Sequence, residues 1–346
     1  MPFLPPEALG DEASIATAAA RAVALARGGD TRAALNLALQ ARRHAQGMET
    51  DEGELEALNA AAIVHLIRGD TIAAVAAALD ACQLGRRTGH RSLYGHALVS
   101  LKMSAYNLGA CDDVVDTLGR CANEARELRD VPLEIRARVG MGVVLGDLGQ
   151  FDGAAREFAR ALPLAERHPE TSPARIVANI ANLHRKRGDC EEGVRFARAA
   201  VRLAAAEANL SVEIDALAIE GCVTELRGAL EHARELMNQS ILLGHASRCP
   251  TAVVWVQCQL GRLSIALHDL DGAARAYQGV LDIATELRPS RKIAVACSGL
   301  ADIEERRGNV PAAREWRRLA ADETAQFEVA RLQTHRQLQE VLAPGY

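Results

Sequence analysis

Apolar residues along the chain recur at helical spacing with polar residues between them, and no stretch of useful length alternates as a strand would. The helical segments come in pairs. First members fall at roughly 12–28, 53–68, 92–108, 132–148, 173–187, 210–227, 251–267 and 291–307. Second members fall at roughly 30–46, 70–88, 111–129, 151–167, 190–208, 230–247, 270–287 and from 310 onward. The bend inside each pair lies at Gly29, Gly69, Gly109, Gly149, Gly188, Gly228, His268 and Gly308, in steps of 40, 40, 40, 39, 40, 40 and 40 residues. So regular a period marks a repeat array.

Glycine suits the bend because the left-handed conformation after a helix carries no Cβ penalty. The next residue is Asp30, Asp70, Asp189, Asp269 or Asn309 at five of the bends, each able to cap the following helix by accepting a backbone N–H. His268 departs from glycine, which predicts a looser turn there. Helix breakers between pairs keep the same schedule, at Gly47, Gly89-His90, Pro132, Pro169 with Pro173, Asn209, Pro250 and Pro289-Ser290. Pro163 falls inside a second helix and predicts a kink or an early end.

Small residues hold fixed places around each bend. Five positions after it stand Ala34, Ala74, Val114, Ala154, Gly193, Ala233, Ala273 and Ala313. Twelve after it stand Ala41, Ala81, Cys121, Ala161, Ala200, Ser240, Val280 and Ala320. Seven before it stand Ala22, Ala62, Lys102, Gly142, Ala181, Gly221, Gly261 and Ala301. Such positions let two helix backbones approach closely, and only Lys102, Val114 and Val280 break the rule. Gly or Ala in the first helix, a Gly-Asp turn and two alanines in the second resemble the tetratricopeptide repeat. Each unit here is six residues longer than that family's 34, which is similar to the extended variant of bacterial signalling proteins. The resemblance covers residues 12–320. HEAT-type solenoids share the 40-residue period but do not usually place small residues on both sides of a Gly-Asp turn. The resemblance implies an all-α, right-handed superhelical solenoid of about eight hairpins. Residues 1–10 read as an irregular leader, 11–311 as the solenoid and 312–346 as an extended C-terminal helix.

Composition narrows the function. The chain has 346 residues, of which 49% are apolar and only 3% aromatic, which fits Ala- and Leu-rich helices in close contact rather than a large globular core. Its net charge of −5 gives no bulk attraction for nucleic acid or an anionic membrane. The eight cysteines form no C-x-x-C pair and read as small buried thiols in a reducing compartment. No signal peptide or spanning segment is recognisable, so a cytoplasmic location is expected. No phosphate loop, H-E-x-x-H or G-x-S-x-G signature is present, and the ten histidines lack ligand spacing. His184 reads as a packed side chain. A non-enzymatic protein with no metal and no cofactor is expected.

In the tetratricopeptide fold the first helices line the concave side, and the resemblance assigns groove positions thirteen, ten, six and three before the bend. In this chain the groove starts apolar and turns basic at Arg136, Arg175 and Arg185. It becomes acidic at Asp215 and Glu225, then carries Trp255 and Arg262, followed by Asp302 and Glu305. Arg and Trp commonly anchor bound peptides, and Asn179 with Asn182 offer amides to an extended backbone. The candidate peptide-binding residues are therefore Tyr106, Arg136, Arg175, Asn179, Asn182, Arg185, Trp255 and Arg262. The set loosely resembles the carboxylate clamp of chaperone-binding repeats, although Ala178 stands where the clamp has a lysine. A plainer reading also stands, in which Arg136 and Arg175 pair with Asp215 or Glu225 on neighbouring helices.

The last second helix does not stop after one period, because no Gly or Pro interrupts residues 312–342. Its apolar marks Trp316, Ala320, Phe327, Ala330, Leu338 and Val341 roughly follow one face. It reads either as a cap on the end of the array or as a signalling or dimerising helix. It is similar to the exit helix of sensory tetratricopeptide regions in diguanylate cyclases and histidine kinases. Neither a GGDEF nor a kinase motif is present, so the expectation is that the output domain such a helix would serve has been lost or removed, or belongs to a separate chain. The expected function is a peptide- or protein-binding module of bacterial signal transduction. The alternatives are a general adaptor or co-chaperone-like scaffold, and a regulatory subunit of an enzyme on another chain.

Overall fold

Each predicted bend is a left-handed residue: φ lies between 61° and 94° at Gly29, Gly69, Gly109, Gly149, Gly188, Gly228, His268 and Gly308. The computed structural model describes residues 12–110, 113–168, 171–246, 253–283 and 291–342. The 1–10 leader, Cys111, Cys249, Pro169, Pro250, Pro289-Ser290 and the side chain of Val341 lie outside the described residues.

The described residues form helices without strands. The first four hairpins are α1 (Glu12–Arg27) with α2 (Thr31–Gly47), α3 (Asp51–Arg68) with α4 (Thr71–Thr88), α5 (Arg91–Asn107) with α6 (Val114–Leu128), and α7 (Val131–Asp147) with α8 (Phe151–Arg167). The next four are α9 (Pro173–Arg187) with α10 (Cys190–Ala206), α11 (Leu210–Leu226) with α12 (Leu230–Ala246), α13 (Val254–Ala266) with α14 (Leu270–Asp282), and α15 (Arg291–Arg306) with α16 (Val310–Leu342). The chain divides into two compact units. Unit 1 holds residues 1–148, 152–171 and 334–346, and unit 2 holds 149–151 and 172–333.

The His268 turn is not looser, contrary to the expectation from its sequence. His268 N–H donates to the Ile265 carbonyl at 3.1 Å and Asp269 N–H to the Ser264 carbonyl at 2.9 Å. The glycine turn before it is closed the same way, by Gly228 to Glu225 at 2.8 Å and Ala229 to Thr224 at 3.2 Å. The two backbone bonds fix the bend, and His268 bears the Cβ strain of φ +61°. Pro163 does not end its helix either: α8 continues to Arg167.

Capping follows the sequence with one exception. Asp30, Asp70 and Asp269 accept from the N–H three residues on, at 3.1, 3.1 and 2.8 Å, and Asn309 does so at 3.5 Å. Asp189 makes no side-chain cap bond. Its carboxylate faces His184 Nδ1 at 3.4 Å and Arg187 Nε at 3.3 Å instead. A second series of left-handed residues runs between the hairpins, at Glu49, Gly89, Arg129 and Ala208. Three of these four carry a side chain, so only Gly89 announces itself in the sequence. The cap that follows the three without glycine is the better signal: Thr50, Asp130 and Asn209 accept from the Gly53, Leu133 and Val212 N–H groups at 3.3, 3.0 and 3.3 Å.

All of the small-residue positions around the bends are buried. Volume is traded across each hairpin. The residue seven before the bend packs against the residue nine after it, and a large partner demands glycine opposite. A Cβ on Gly142 would lie 2.5 Å from the Phe158 ring, one on Gly261 2.6 Å from the Tyr277 ring, and one on Gly221 3.0 Å from Met237 Cγ. Where both members are small the pair is Ala22/Ala38, Ala62/Ala78 or Ala181/Ala197, and every one of these is buried. Lys102 breaks the pattern and reaches out to Asp113 at 2.7 Å, giving its ammonium a counter-charge.

Odd-numbered helices also touch one another, α1 with α3, α3 with α5 and α5 with α7 in unit 1, and α9 with α11, α11 with α13 and α13 with α15 in unit 2. Among the described residues of α2, α4 and α6, and of α10, α12 and α14, no pair of even-numbered helices makes a comparably broad contact. Within each unit the odd helices thus form the closely spaced layer, and their free face is where side chains from successive repeats meet. Helix α16 is unbroken through 33 residues, about 50 Å.

Two substitutions test this packing. His268→Gly relieves the left-handed Cβ and should stabilise the protein by about 0.5–1 kcal/mol, read as a higher urea midpoint. No gain would mean the turn is unstrained. Gly142→Ala should cost about 1–3 kcal/mol by overpacking, and clearly less in a Phe158→Leu background. Equal costs in the two backgrounds would show that the ring does not set the limit.

Candidate functional site

The period itself builds the sites. Residues 40 apart occupy equivalent places on adjacent odd helices, so side chains at that separation meet on the free face. In unit 1, Arg136 of α7 reaches His96 of α5, with Nη1 2.7 Å from His96 Nδ1 and Nη2 donating to Ser100 Oγ at 2.6 Å. Because Arg136 can only donate, His96 Nδ1 is the acceptor and Nε2 carries the proton. Nε2 lies 3.3 Å from Asp130 Oδ2, so the ring is a neutral bridge between a cation and an anion. Asp130 also accepts from Ser92 Oγ and, at 3.0 Å, from the Leu133 N–H. Tyr106 donates to Asp147 Oδ2 at 3.1 Å in the same unit.

Titration follows from these contacts. Burial pulls His96 below the ordinary imidazole value and Arg136 opposes its protonation, while the Asp130 bond acts the other way. Burial alone would raise the Asp130 carboxyl, but the bonds from His96, Ser92 and Leu133 overcome it and hold the group well below the usual carboxylate range. The Tyr106 phenol is pushed up to about 12, first by burial and then by the Asp147 charge, so it stays a donor.

In unit 2 the odd helices carry the other six candidates. Arg175 of α9 forms an ion pair with Asp215 of α11, and its second Nη donates to Ser211 Oγ at 3.1 Å. Arg262 of α13 pairs with Glu225 of α11 at 2.7 Å. The plainer reading therefore holds for Arg175 with Asp215. It fails for Arg136, whose partners are His96 and Ser100, and Glu225 is taken by Arg262. Arg185 donates only to Asn182 Oδ1, at 2.8 Å, and makes no ion pair among the described residues. Asn179 is half-buried and Trp255 is partly buried against the core of α11 to α15. Neither side chain has a hydrogen-bond partner among the described residues, so an amide group and an indole N–H are unspent.

Two thiols lie under this face. Burial pushes Cys222 up to about 11, with Arg185 and Arg262 opposing, and Cys258 up to about 11, with Lys292 opposing. Both are therefore unreactive at neutral pH. Burial lowers the Lys292 ammonium, while Cys258 and Asp215 work against the shift. Cys82, Cys121 and Cys297 are buried as expected of packed thiols, whereas Cys190, at the start of α10, is partly exposed. His184 stacks on Phe196, with ring centroids 5.2 Å apart. Among the described residues no group of three or more His, Cys, Asp or Glu side chains converges as a metal site. No described helix is long and apolar enough to cross a membrane.

Sequence reasoning missed Lys292, Ser100, Asp130 and Asp147. Asp130 was findable, since it follows Arg129 in the second series of bends. Lys292 and Ser100 lie outside the four groove positions, and no periodic signal separates them from ordinary surface residues.

No protein-family model matches the chain, and no curated protein matches it in sequence. Solved structures do match. A Rap conjugation gene regulator of the plasmid pLS20, in complex with the Phr* peptide, superposes with a TM-score of 0.57 at 13% identity, covering 99% of this chain and all of that one. A Rap protein complexed with competence and sporulation factor gives 0.56 at 12% identity, over 92% of this chain and 100% of that chain. BtubC from P. vanneervenii gives 0.52 at 17% identity over 61% of this chain and 89% of that chain. The fold is an all-α helical repeat of the tetratricopeptide type. At these identities the likeness concerns the fold alone.

The His96 bridge yields a pH prediction. A base held below its ordinary value, and an acid held below its own, both stabilise the fold at higher pH and lose that contribution on acidification. For His96 the loss begins near pH ~6.5 and continues through its lower folded value. Asp130 adds to the loss below about pH 4. Urea midpoints should fall between pH 7.5 and 5 in the wild type and fall less in His96→Asn. Parallel pH profiles would contradict the bridge.

Proposed function

We infer that the chain is a non-enzymatic scaffold that holds an extended peptide segment of a partner on the odd-helix face of unit 2. The observation that carries this reading is the set of unspent polar groups there. Asn179, the Trp255 indole and the Arg185 guanidinium stand on one layer, between the ion pairs Arg175–Asp215 and Arg262–Glu225. An extended backbone needs an amide donor-acceptor and an apolar anchor, and Asn179 and Trp255 supply one of each. Arg185 adds a cation for an acidic side chain. Two fold neighbours support the reading, because one Rap protein is in complex with the Phr* peptide and another with competence and sporulation factor.

The biological setting we propose is a cytoplasmic regulatory module of bacterial signal transduction. The array senses a peptide, and α16 is the element through which its state reaches a partner. Residues 11–311 act as the repeat array and 312–346 as the exit helix. A homodimer through that helix is the form in which signalling would become concentration-dependent.

Panning a random peptide library on the full chain tests the site while the natural partner is still unidentified. Enriched peptides should bind the wild type and lose about tenfold or more in affinity to Arg185→Glu and to Trp255→Ala, with far-UV circular dichroism unchanged. Undiminished binding by both folded variants would overturn the unit 2 site.

A further inference from the structure

Among the described residues, Arg136 is a cation with no counter-charge in contact. It sits deep on the odd-helix face of unit 1 while keeping a partly accessible surface. Its bonds are to neutral groups, the His96 ring nitrogen at 2.7 Å, the His96 carbonyl at 3.5 Å and the Ser100 hydroxyl at 2.6 Å. Among the described residues no carboxylate lies within ion-pair distance of it. Asp130 is on the far side of the His96 ring, and its charge reaches Arg136 only through space. A second cation, Arg27 at the end of α1, adds repulsion rather than relief.

Two other cations on the odd helices are neutralised, Arg175 by Asp215 and Arg262 by Glu225. Arg138, on the same helix as Arg136, is held by Glu134 at 2.7 Å and Glu157 at 2.8 Å. A buried charge without a partner is costly, and this fold supplies partners elsewhere. The donors left over at Arg136 are Nε–H and one Nη2–H, which is the number a carboxylate accepts in a bidentate pair. Burial and Arg27 draw the guanidinium down only to about 10, so it is charged at neutral pH.

The geometry points to an anion-recognition site in unit 1, in which Arg136, oriented by His96 and Ser100, takes a carboxylate from an acidic side chain of a bound peptide. The site is distinct from the unit 2 face. It rests on the peptide-binding reading only for the source of the carboxylate. The net charge of −5 makes non-specific capture of polyanions weak, so an acidic peptide that binds needs a local cation to do so. The lack of a resident partner also separates the site from a structural ion pair: removing Arg136 should relieve the fold rather than weaken it.

The test uses the full chain, an acetylated and amidated hexaglutamate as probe, hexaglutamine with the same caps as control, and inorganic phosphate as the other anion. Hexaglutamate should raise the melting temperature at low salt and hexaglutamine should not. Arg136→Met should melt higher than the wild type without peptide and bind hexaglutamate at least about tenfold more weakly by calorimetry. Arg43→Gln, at an exposed cation of α2 that bonds only to the Leu39 carbonyl, should keep hexaglutamate binding, which separates this site from general surface charge. Ser100→Ala, which leaves the charge in place, should weaken binding less than Arg136→Met does. Binding unchanged in folded Arg136→Met would overturn the proposal, as would no response to hexaglutamate in the wild type. Phosphate binding as tight as hexaglutamate, and equally lost in Arg136→Met, would overturn the carboxylate assignment.

Discussion

The structure depends on close approach of two helix backbones on either side of a left-handed bend. The bend reverses the chain within one residue, closed by two backbone hydrogen bonds whether that residue is glycine or His268. Close approach follows only if the side chains between the helices are small or matched. The pairs Gly142/Phe158, Gly221/Met237 and Gly261/Tyr277 reach the same end as Ala22/Ala38 by a different division of volume. The aromatic-poor composition is a consequence, since there is no thick core for large rings to fill.

Function follows from the register that this packing imposes. Because successive hairpins repeat every 40 residues, side chains one period apart on adjacent odd helices of the same unit can meet. Arg136 meets His96 and Arg175 meets Asp215 for that reason alone. The free face is therefore a ladder whose rungs the sequence can vary without disturbing the scaffold. Some rungs are closed ion pairs. Others, at Asn179, Trp255, Arg185 and Arg136, leave donors or apolar surface unspent, and these are the places where a ligand can add what the chain lacks.

The fold was legible because its signal is repeated. Glycine and small residues recur at fixed offsets, so one ambiguous position is corrected by seven others. The same redundancy explains the misses. The looser turn expected at His268 weighed one side chain against a backbone bonding pattern that overrules it. Of the kink or early end expected at Pro163, the early end does not occur, since α8 runs on to Arg167. The inter-hairpin bends at Glu49, Arg129 and Ala208 were hidden because their residues have no glycine signature. The candidate site was less legible. The first-helix positions are set by the period, but which cation finds a partner is not. Arg262 and Glu225 lie 37 residues apart, a choice made by side-chain reach rather than by spacing, and the residue one period from Arg136 is a histidine rather than an acid.

The central claim is that the 40-residue beat, and not any individual contact, specifies the stack. Excising residues 70–109 removes one full period and joins Gly69 to Ala110, so every remaining bend keeps its step. Excising residues 70–99 removes less chain but throws the later bends out of register. Far-UV circular dichroism with urea unfolding reads the outcome. The account predicts that the full-period deletion keeps the wild-type helicity per residue and a cooperative transition, while the shorter deletion loses both. Equal folding of the two chains, or collapse of the in-register one, would contradict it.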